Sequence, residues 1–208
     1  DYIVERGLCP VKNIQMIFGV VMPEISMAHD ISSKRRWGFG KPRLDICFMA
    51  HRYTTNGEDK GYDVFLNIAS ILRQRHEDIY FHVVGPFEST FSDRIKFHGS
   101  LDVEQFESFF QDMDIILSPN ISGKISPGSF DGFPTASCTE AGLRGTAIFA
   151  VDEFNSAAGR FTDGQDVVLI NYDLDDIVNK IEKYYPNLVP LNSFVKKATR
   201  KFFHMNIF

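Results

Sequence analysis

The chain of 208 residues, 44% hydrophobic and 24% charged, is long enough to bury a sizeable core, and its composition excludes collagen-like, coiled-coil and wholly disordered classes. With 22 Lys and Arg against 27 Asp and Glu, the net charge of -5 has the wrong sign for a chain that grips phosphate backbones, so nucleic acid is excluded as a main partner. Cys9, Cys47 and Cys138 share no metal-type spacing and two of them lie in apolar segments, which implies reduced thiols in the cytoplasm.

In chain order, residues 1–43 read as a lead-in segment and linker, cut from a longer protein. The start, Asp-Tyr-Ile-Val-Glu-Arg, lacks a signal-peptide layout, and no apolar run approaches the ~20 residues that span a bilayer. Residues 27–43 are polar, Gly-containing and basic, like a linker or an exposed arm. Lys34-Arg35-Arg36 within it suits peripheral contact with an anionic inner membrane face, although three cations in a linker are more often solvated.

Residues 44–191 alternate between two periods. Apolar runs at Leu44–Met49, Ile79–Val84, 115–117, Ala147–Ala150 and 167–170 read as strands buried on both faces. Helical spacing falls between them, first at Val64, Phe65, Ile68, Ile71 and Leu72. A second helix carries Val103, Phe106, Phe109 or Phe110 and Met113, opened by Asp102 and Gln105 as a capping box. A third runs from 136 to 144 and stops at Gly145. The fourth has Asp173 as N-cap, Leu174, Ile177, Val178, Ile181 and Tyr184 on one face, and Pro186 at its end. This alternation predicts an α/β domain with a doubly wound, Rossmann-like parallel sheet, right-handed crossovers and ligands at the carboxyl ends of the strands. Residues 192–208 read as a truncated C-terminal helix or tail, whose Phe202, Phe203, Ile207 and Phe208 want something to pack on.

Chemistry is therefore expected in the loops at 50–60, 85–93, 119–135 and 151–165. Asp131-Gly132-Phe133-Pro134-Thr135 leads into the third helix, whose first-turn N–H groups and dipole favour a phosphate. Glu140, one turn in, is placed to accept two hydrogen bonds from a sugar diol, with a solvated helix residue as the alternative reading. Arg52 and Lys60 flank the loop after the first main strand and form a cation pair that can neutralise a diphosphate, against the alternative of two solvated surface cations.

Rival signals are weaker. Asp112 and Asp114 resemble a metal-binding acidic pair but lie before a strand rather than after one, where turn formation is the better reading. Gly38-Phe-Gly40 lacks the third glycine of a dinucleotide fingerprint. The histidines show no metal spacing, and His82 and His98 read as structural. Cys138, at a helix start, reads as a buried small residue rather than a nucleophile.

Together the motifs Ala50-His-Arg52, Lys60-Gly-Tyr-Asp, Val83-Val-Gly85, Ile95-Lys-Phe-His-Gly99, Met113-Asp-Ile-Ile-Leu-Ser-Pro119, Asp131-Gly-Phe-Pro and Glu140-Ala, in that order, resemble the C-terminal, donor-binding half of GT-B glycosyltransferases of the glycosyl transferases group 1 type. Asn13-Ile-Gln-Met-Ile-Phe-Gly19-Val resembles the segment by which that family enters its second domain. The resemblance implies an enzyme that transfers a sugar, with retention, from a nucleotide diphosphate sugar to a sugar or lipid-linked glycan acceptor in polysaccharide biosynthesis. It implies no metal or other cofactor, and leaves the fragment without its acceptor half. By this resemblance Arg52 and Lys60 bind the donor diphosphate. Glu140 holds the ribose, residues Gly132, Phe133, Pro134 and Thr135 approach the donor sugar and phosphate, and Gly99, Ser100 and Leu101 lie near the base.

Asp131 and Glu140 are separated by eight residues, one more than the family's acidic pair, so strict counting puts Gly132 at the first acidic position and Asp131 beside it. His51 stands where the family has glycine, and the interval from Arg52 to Lys60 is longer than usual. A non-catalytic nucleotide-sugar-binding module of GT-B-like fold is the alternative function.

Overall fold

A computed structural model describes residues 2–15, 31–88, 93–155 and 157–186. The lead-in motif beyond Gln15 and the expected tail at 192–208 lie outside the described residues. The chain opens with a short helix α1 (Tyr2–Glu5), a single 3-10 turn (Val11–Asn13) and a two-stranded ribbon of β1 (Arg36–Trp37) and β2 (Gly40–Lys41). The main domain follows as β3 (Leu44–Met49), α2 (Tyr62–Arg75), β4 (Ile79–Val84), β5 (Ile95–Phe97) and α3 (Val103–Phe110). It continues as β6 (Ile115–Ser118), α4 (Ala136–Leu143), β7 (Ala147–Ala150), β8 (Val168–Leu169) and α5 (Leu174–Tyr184).

All six main strands are parallel, in the order β5-β4-β3-β6-β7-β8, the doubly wound arrangement expected. Central strands read as continuous apolar runs because helices cover both faces: every residue of β6 and β7 is buried, and all of β3 except Met49. Phe65, Ile68 and Leu72 of α2 lose all solvent contact, each worth about 1.5–3 kcal/mol of burial. α2 packs against α5, and right-handed crossovers send α3 and α4 to the opposite face.

Local signals set the helix ends. Asp102 N–H donates to Gln105 Oε1 at 2.8 Å at the start of α3, and Asp173 Oδ1 accepts from the N–H groups of Asp175 and Asp176 at the start of α5. α3 stops at Phe110 rather than running on to Met113, and two lysines from the ribbon region take the carbonyls of its last residue and of the turn that follows. Lys34 Nζ donates to Phe110 O at 2.5 Å and Met113 O at 2.7 Å, and Lys41 Nζ donates to Asp112 O.

The ribbon is the main departure from sequence expectation. Residues 34–41 are not an exposed arm but lie along the amino edge of the sheet. Asp114, 4% exposed, accepts from Lys41 Nζ at 2.5 Å, from Trp37 N–H at 2.9 Å and from Asp45 N–H at 2.9 Å. Trp37 stacks on Tyr185 at 5.5 Å and donates from Nε1 to the Tyr185 carbonyl. Enclosure of its ammonium pushes the Lys34 pKa down to about 7. Arg35 pairs with Asp112 at 2.7 Å. Lys34 and Arg35 of the basic triplet are thus engaged with their own domain, Lys34 through the Phe110 and Met113 carbonyls and Arg35 through Asp112.

Behind this edge a polar chain crosses the sheet. His82 Nε2 lies 2.7 Å from Asp45 Oδ1, and His82 Nδ1 lies 3.0 Å from His98 Nε2. His98 is held near 4, chiefly by burial and then by the neighbouring His82.

Candidate functional site

The strand order reverses between β3 and β6, and a parallel sheet opens a crevice at the carboxyl side of that reversal. A cleft of about 330 Å³ lies there. One wall is Met49, Ala50, His51 and Tyr53 at and beyond the end of β3, with Lys60 just before α2. The other is Asn120 and Asp131 from the loop after β6, then Thr135, Ala136, Ser137 and Glu140 from the start of α4, with Phe106 of α3 above. Two glycines let the loops come this close. Gly61, at φ +69°, caps α2 so near to Pro119 that a Cβ would stand 2.0 Å from the Pro119 carbonyl oxygen. Gly85, at φ +124°, lies as near to Ala50 O.

Lys60, 9% exposed, is held at the bottom of the cleft. Its Nζ donates to both carboxylate oxygens of Asp131 at 2.7 Å and lies 5.0 Å over the Tyr53 ring, with Asp59 Oδ2 at 3.8 Å. Asn120 Nδ2 donates to the same Asp131 carboxylate, and the Asn120 carbonyl accepts from Tyr172 Oη. This network joins the loops after β3, β6 and β8. The Tyr172 phenol is pushed up to about 12, by burial and then by the charge of Glu153.

Thr135 is the N-cap of α4, accepting the Cys138 N–H at 3.3 Å. The N–H groups of a helix's first turn have no intrahelical acceptor, so the wall formed by Ala136 and Ser137 is a ready anion site. Glu140, 7% exposed, reaches the same cleft from the second turn. Its Oε2 accepts from Arg144 Nη1, one turn further on.

The structure brings Lys60, Asp131, Thr135 and Glu140 to one cleft. Gly132 and Phe133 line a small adjoining recess with Asp152, Glu153 and Tyr172, while Pro134 is buried between. Arg52 is exposed and does not line the cleft, although its neighbours His51 and Tyr53 do, and it makes no hydrogen bond or ion pair with the described residues. Gly99, Ser100 and Leu101 follow β5, two strands from the crevice, tied in where Gly85 N–H donates to Gly99 O at 2.8 Å. Asp112 and Asp114 occupy the opposite, amino edge. Cys138 is fully buried and its thiol is raised by burial, as is that of Cys47. Asn120, Tyr172 and Arg144 were not anticipated. For Arg144 the signal was present, since Glu140 and Arg144 sit four apart on one helix.

Residues 34–201 match the sequence profile of the family described as Glycosyl transferases group 1. The chain belongs to that family. Group 1 membership accounts for the alternating strands and helices and for the motif order from Arg52 to Glu140, and the fold agrees. The C-terminal domain of the group 1 protein LpcC from Francisella tularensis superposes with a TM-score of 0.60 at 16% identity, over 79% of this chain and 87% of that one. HepE of Anabaena, solved with UDP-glucose, gives 0.61 at 14% identity, over 78% of this chain and 44% of its own. TarM of S. aureus, solved with UDP, gives 0.61 at 16%, over 79% and 33%. At these identities the likeness establishes the fold, shared with GT-B glycosyltransferases. The chain spans less than half the length of HepE and TarM. No curated protein matches the sequence. Among the described residues, no helix is long and apolar enough to cross a membrane.

Proposed function

We propose that this group 1 chain is the donor-binding half of a two-domain glycosyltransferase, which transfers a sugar from a nucleotide diphosphate sugar to an acceptor hydroxyl. The observation that carries the reading is one cleft, at the strand-order reversal, holding a buried lysine, the open turn of α4 and a buried glutamate. The diphosphate is the leaving group. Lys60 exchanges its Asp131 partner for phosphate oxygens, the amino end of α4 faces the same charge, and Arg52 reaches in from between His51 and Tyr53. This is stabilisation by donors already in place, and it calls on no metal. Glu140 accepts from the ribose hydroxyls, and Asp131, once released, faces the donor sugar through its carboxylate.

The finer reading assigns transfer with retention, in glycan or polysaccharide assembly, to a sugar or lipid-linked acceptor brought by the other half of the enzyme. The parent protein works in the cytoplasm, and the triplet at 34–36 lends no support to membrane contact, because Lys34 and Arg35 are engaged within the domain. HepE and TarM, solved with uridine nucleotides, make UDP the first ligand to test. Calorimetric titration with UDP, GDP and their sugar conjugates decides the matter. Arg52→Ala, Lys60→Ala and Glu140→Ala are each expected to weaken binding by about 1.5–3 kcal/mol. Binding that is absent, or indifferent to all three, refutes the reading.

A further inference from the structure

We infer that Arg144 is a positioning residue of the nucleotide site, holding the Glu140 carboxylate in the orientation that meets the two ribose hydroxyls. The inference rests on the role given to Glu140 above and names the residue through which that role is exercised.

Arg144 is the C-cap of α4 and is only 4% exposed. Its Nη1 donates to the Glu140 carbonyl at 3.2 Å and also to Glu140 Oε2, so one nitrogen fixes the backbone and the side chain of the same residue. Across the helix interface Arg144 Nε stands 3.3 Å from Glu107 Oε2 of α3, close enough for an ion pair but not aligned for a hydrogen bond. The guanidinium lies 5.8 Å from the centre of the Phe106 ring. Phe106 and Glu140 both line the cleft, so Arg144 stands behind its wall and ties α3 to α4 where the nucleoside would lie.

A guanidinium is permanently charged and planar, and it holds a carboxylate in one geometry where a lysine would act as a point charge. A glutamate side chain has three torsions to freeze before it can accept both hydroxyls of a diol. Arg144 freezes them before the ligand arrives, which removes that entropic cost from binding. An exposed pair at this spacing is worth little, but this one is enclosed. Loss of a purely structural arginine would lower affinity for every nucleotide alike, whereas loss of a positioning arginine weakens the ribonucleotide more than its 2′-deoxy analogue.

The test is calorimetry of the 208-residue chain with UDP and 2′-deoxy-UDP, and with the guanine pair, checking each variant's fold by circular dichroism. Wild type is expected to favour the ribonucleotide by ~10-fold or more, the loss of one charge-assisted hydrogen bond. Arg144→Met is expected to bring that ratio below about threefold, weakening UDP several-fold more than 2′-deoxy-UDP, which has only its 3′-hydroxyl to lose, and Arg144→Lys to restore part of it. A ratio unchanged in Arg144→Met, or equal weakening of both ligands, overturns the inference. If the Met variant does not fold, Arg144→Lys decides, and an undiminished ratio there overturns it. Retention of the ratio in Glu140→Gln refutes the role of Glu140 itself, as does failure of wild type to bind any of these nucleotides.

Discussion

The pairing of Lys60 with Asp131 makes a prediction opposite to the usual effect of removing a charge from a binding site. Both oxygens of Asp131 sit 2.7 Å from the ammonium that a diphosphate must meet. An incoming phosphate has to displace that carboxylate and then tolerate it nearby. Two unit charges ~5 Å apart in a medium of effective dielectric ~20 repel by about 3 kcal/mol. Asp131 is one-third exposed, so solvent and salt screen part of this, leaving about 1–2 kcal/mol. Asp131→Asn is therefore expected to tighten UDP binding by ~5–30-fold at low salt, with the gain shrinking as ionic strength rises. The gain is smaller for a sugar conjugate, because the same carboxylate then loses its contact with the sugar hydroxyls. Titration calorimetry at two salt concentrations measures both effects, and Lys60→Ala combined with Asp131→Asn isolates the coupling between the two residues. An Asp131→Asn affinity equal to or weaker than wild type would show that the pair is not broken on binding, and the proposed role of Lys60 would fall with it.

Three further outcomes follow from the geometry. Gly61→Ala places a Cβ 2.0 Å from a backbone oxygen at φ +69°, and should cost on the order of 2–4 kcal/mol, lowering the melting temperature by about 5–15 °C; a shift under about 2 °C refutes the close approach. His98 is held near 4 in the folded chain against an ordinary value of 6.5, so the unfolded chain takes up a proton first as pH falls. Stability is then full above about pH 6.5 and drops towards pH 4, and denaturant midpoints of His98→Asn should be flatter across that window, an unchanged slope arguing against the reading. Asp114→Ala leaves the Trp37 and Asp45 N–H groups without an acceptor at the amino edge and leaves Lys41 with Asp45, at 2.8 Å, as its remaining carboxylate, for a loss of about 2–4 kcal/mol. Faster tryptic cleavage at residues 34–36 in that variant is the accompanying sign, and an equally resistant ribbon contradicts it.

The strands Leu44–Met49, Ile79–Val84 and Ala147–Ala150 were legible to the residue, and the helix Leu174–Tyr184 from its N-cap to within a residue of its end, because burial on both faces and a clean 3.6 period leave little choice. β5 carries no strand signal of its own, since one of its three residues is buried and an edge strand that short has no pattern. The ribbon at 36–41 was misread for a different reason. Its cations look solvated in sequence, and only the folded chain brings Asp112 and Asp114 to them. At the site, the elements carrying Lys60, Thr135 and Glu140 could be placed from strand and helix order alone. The Lys60–Asp131 pair spans 71 residues and the Tyr172–Asn120 contact spans 52, distances at which residue type says nothing about partners. The loop at 99–101 follows an edge strand, and its separation from the crevice depends on strand order, which the sequence does not carry.

The glycine contacts at the carboxyl edge bear on how such a site can diversify. At Gly61 against Pro119 and Gly85 against Ala50, main chain meets main chain, so the spacing of three strand-end loops is set by atoms every residue possesses. Side chains along those loops can change without shifting the bed on which a phosphate would rest. Sugar and base preference can therefore drift residue by residue on a fixed foundation, provided those two positions stay glycine.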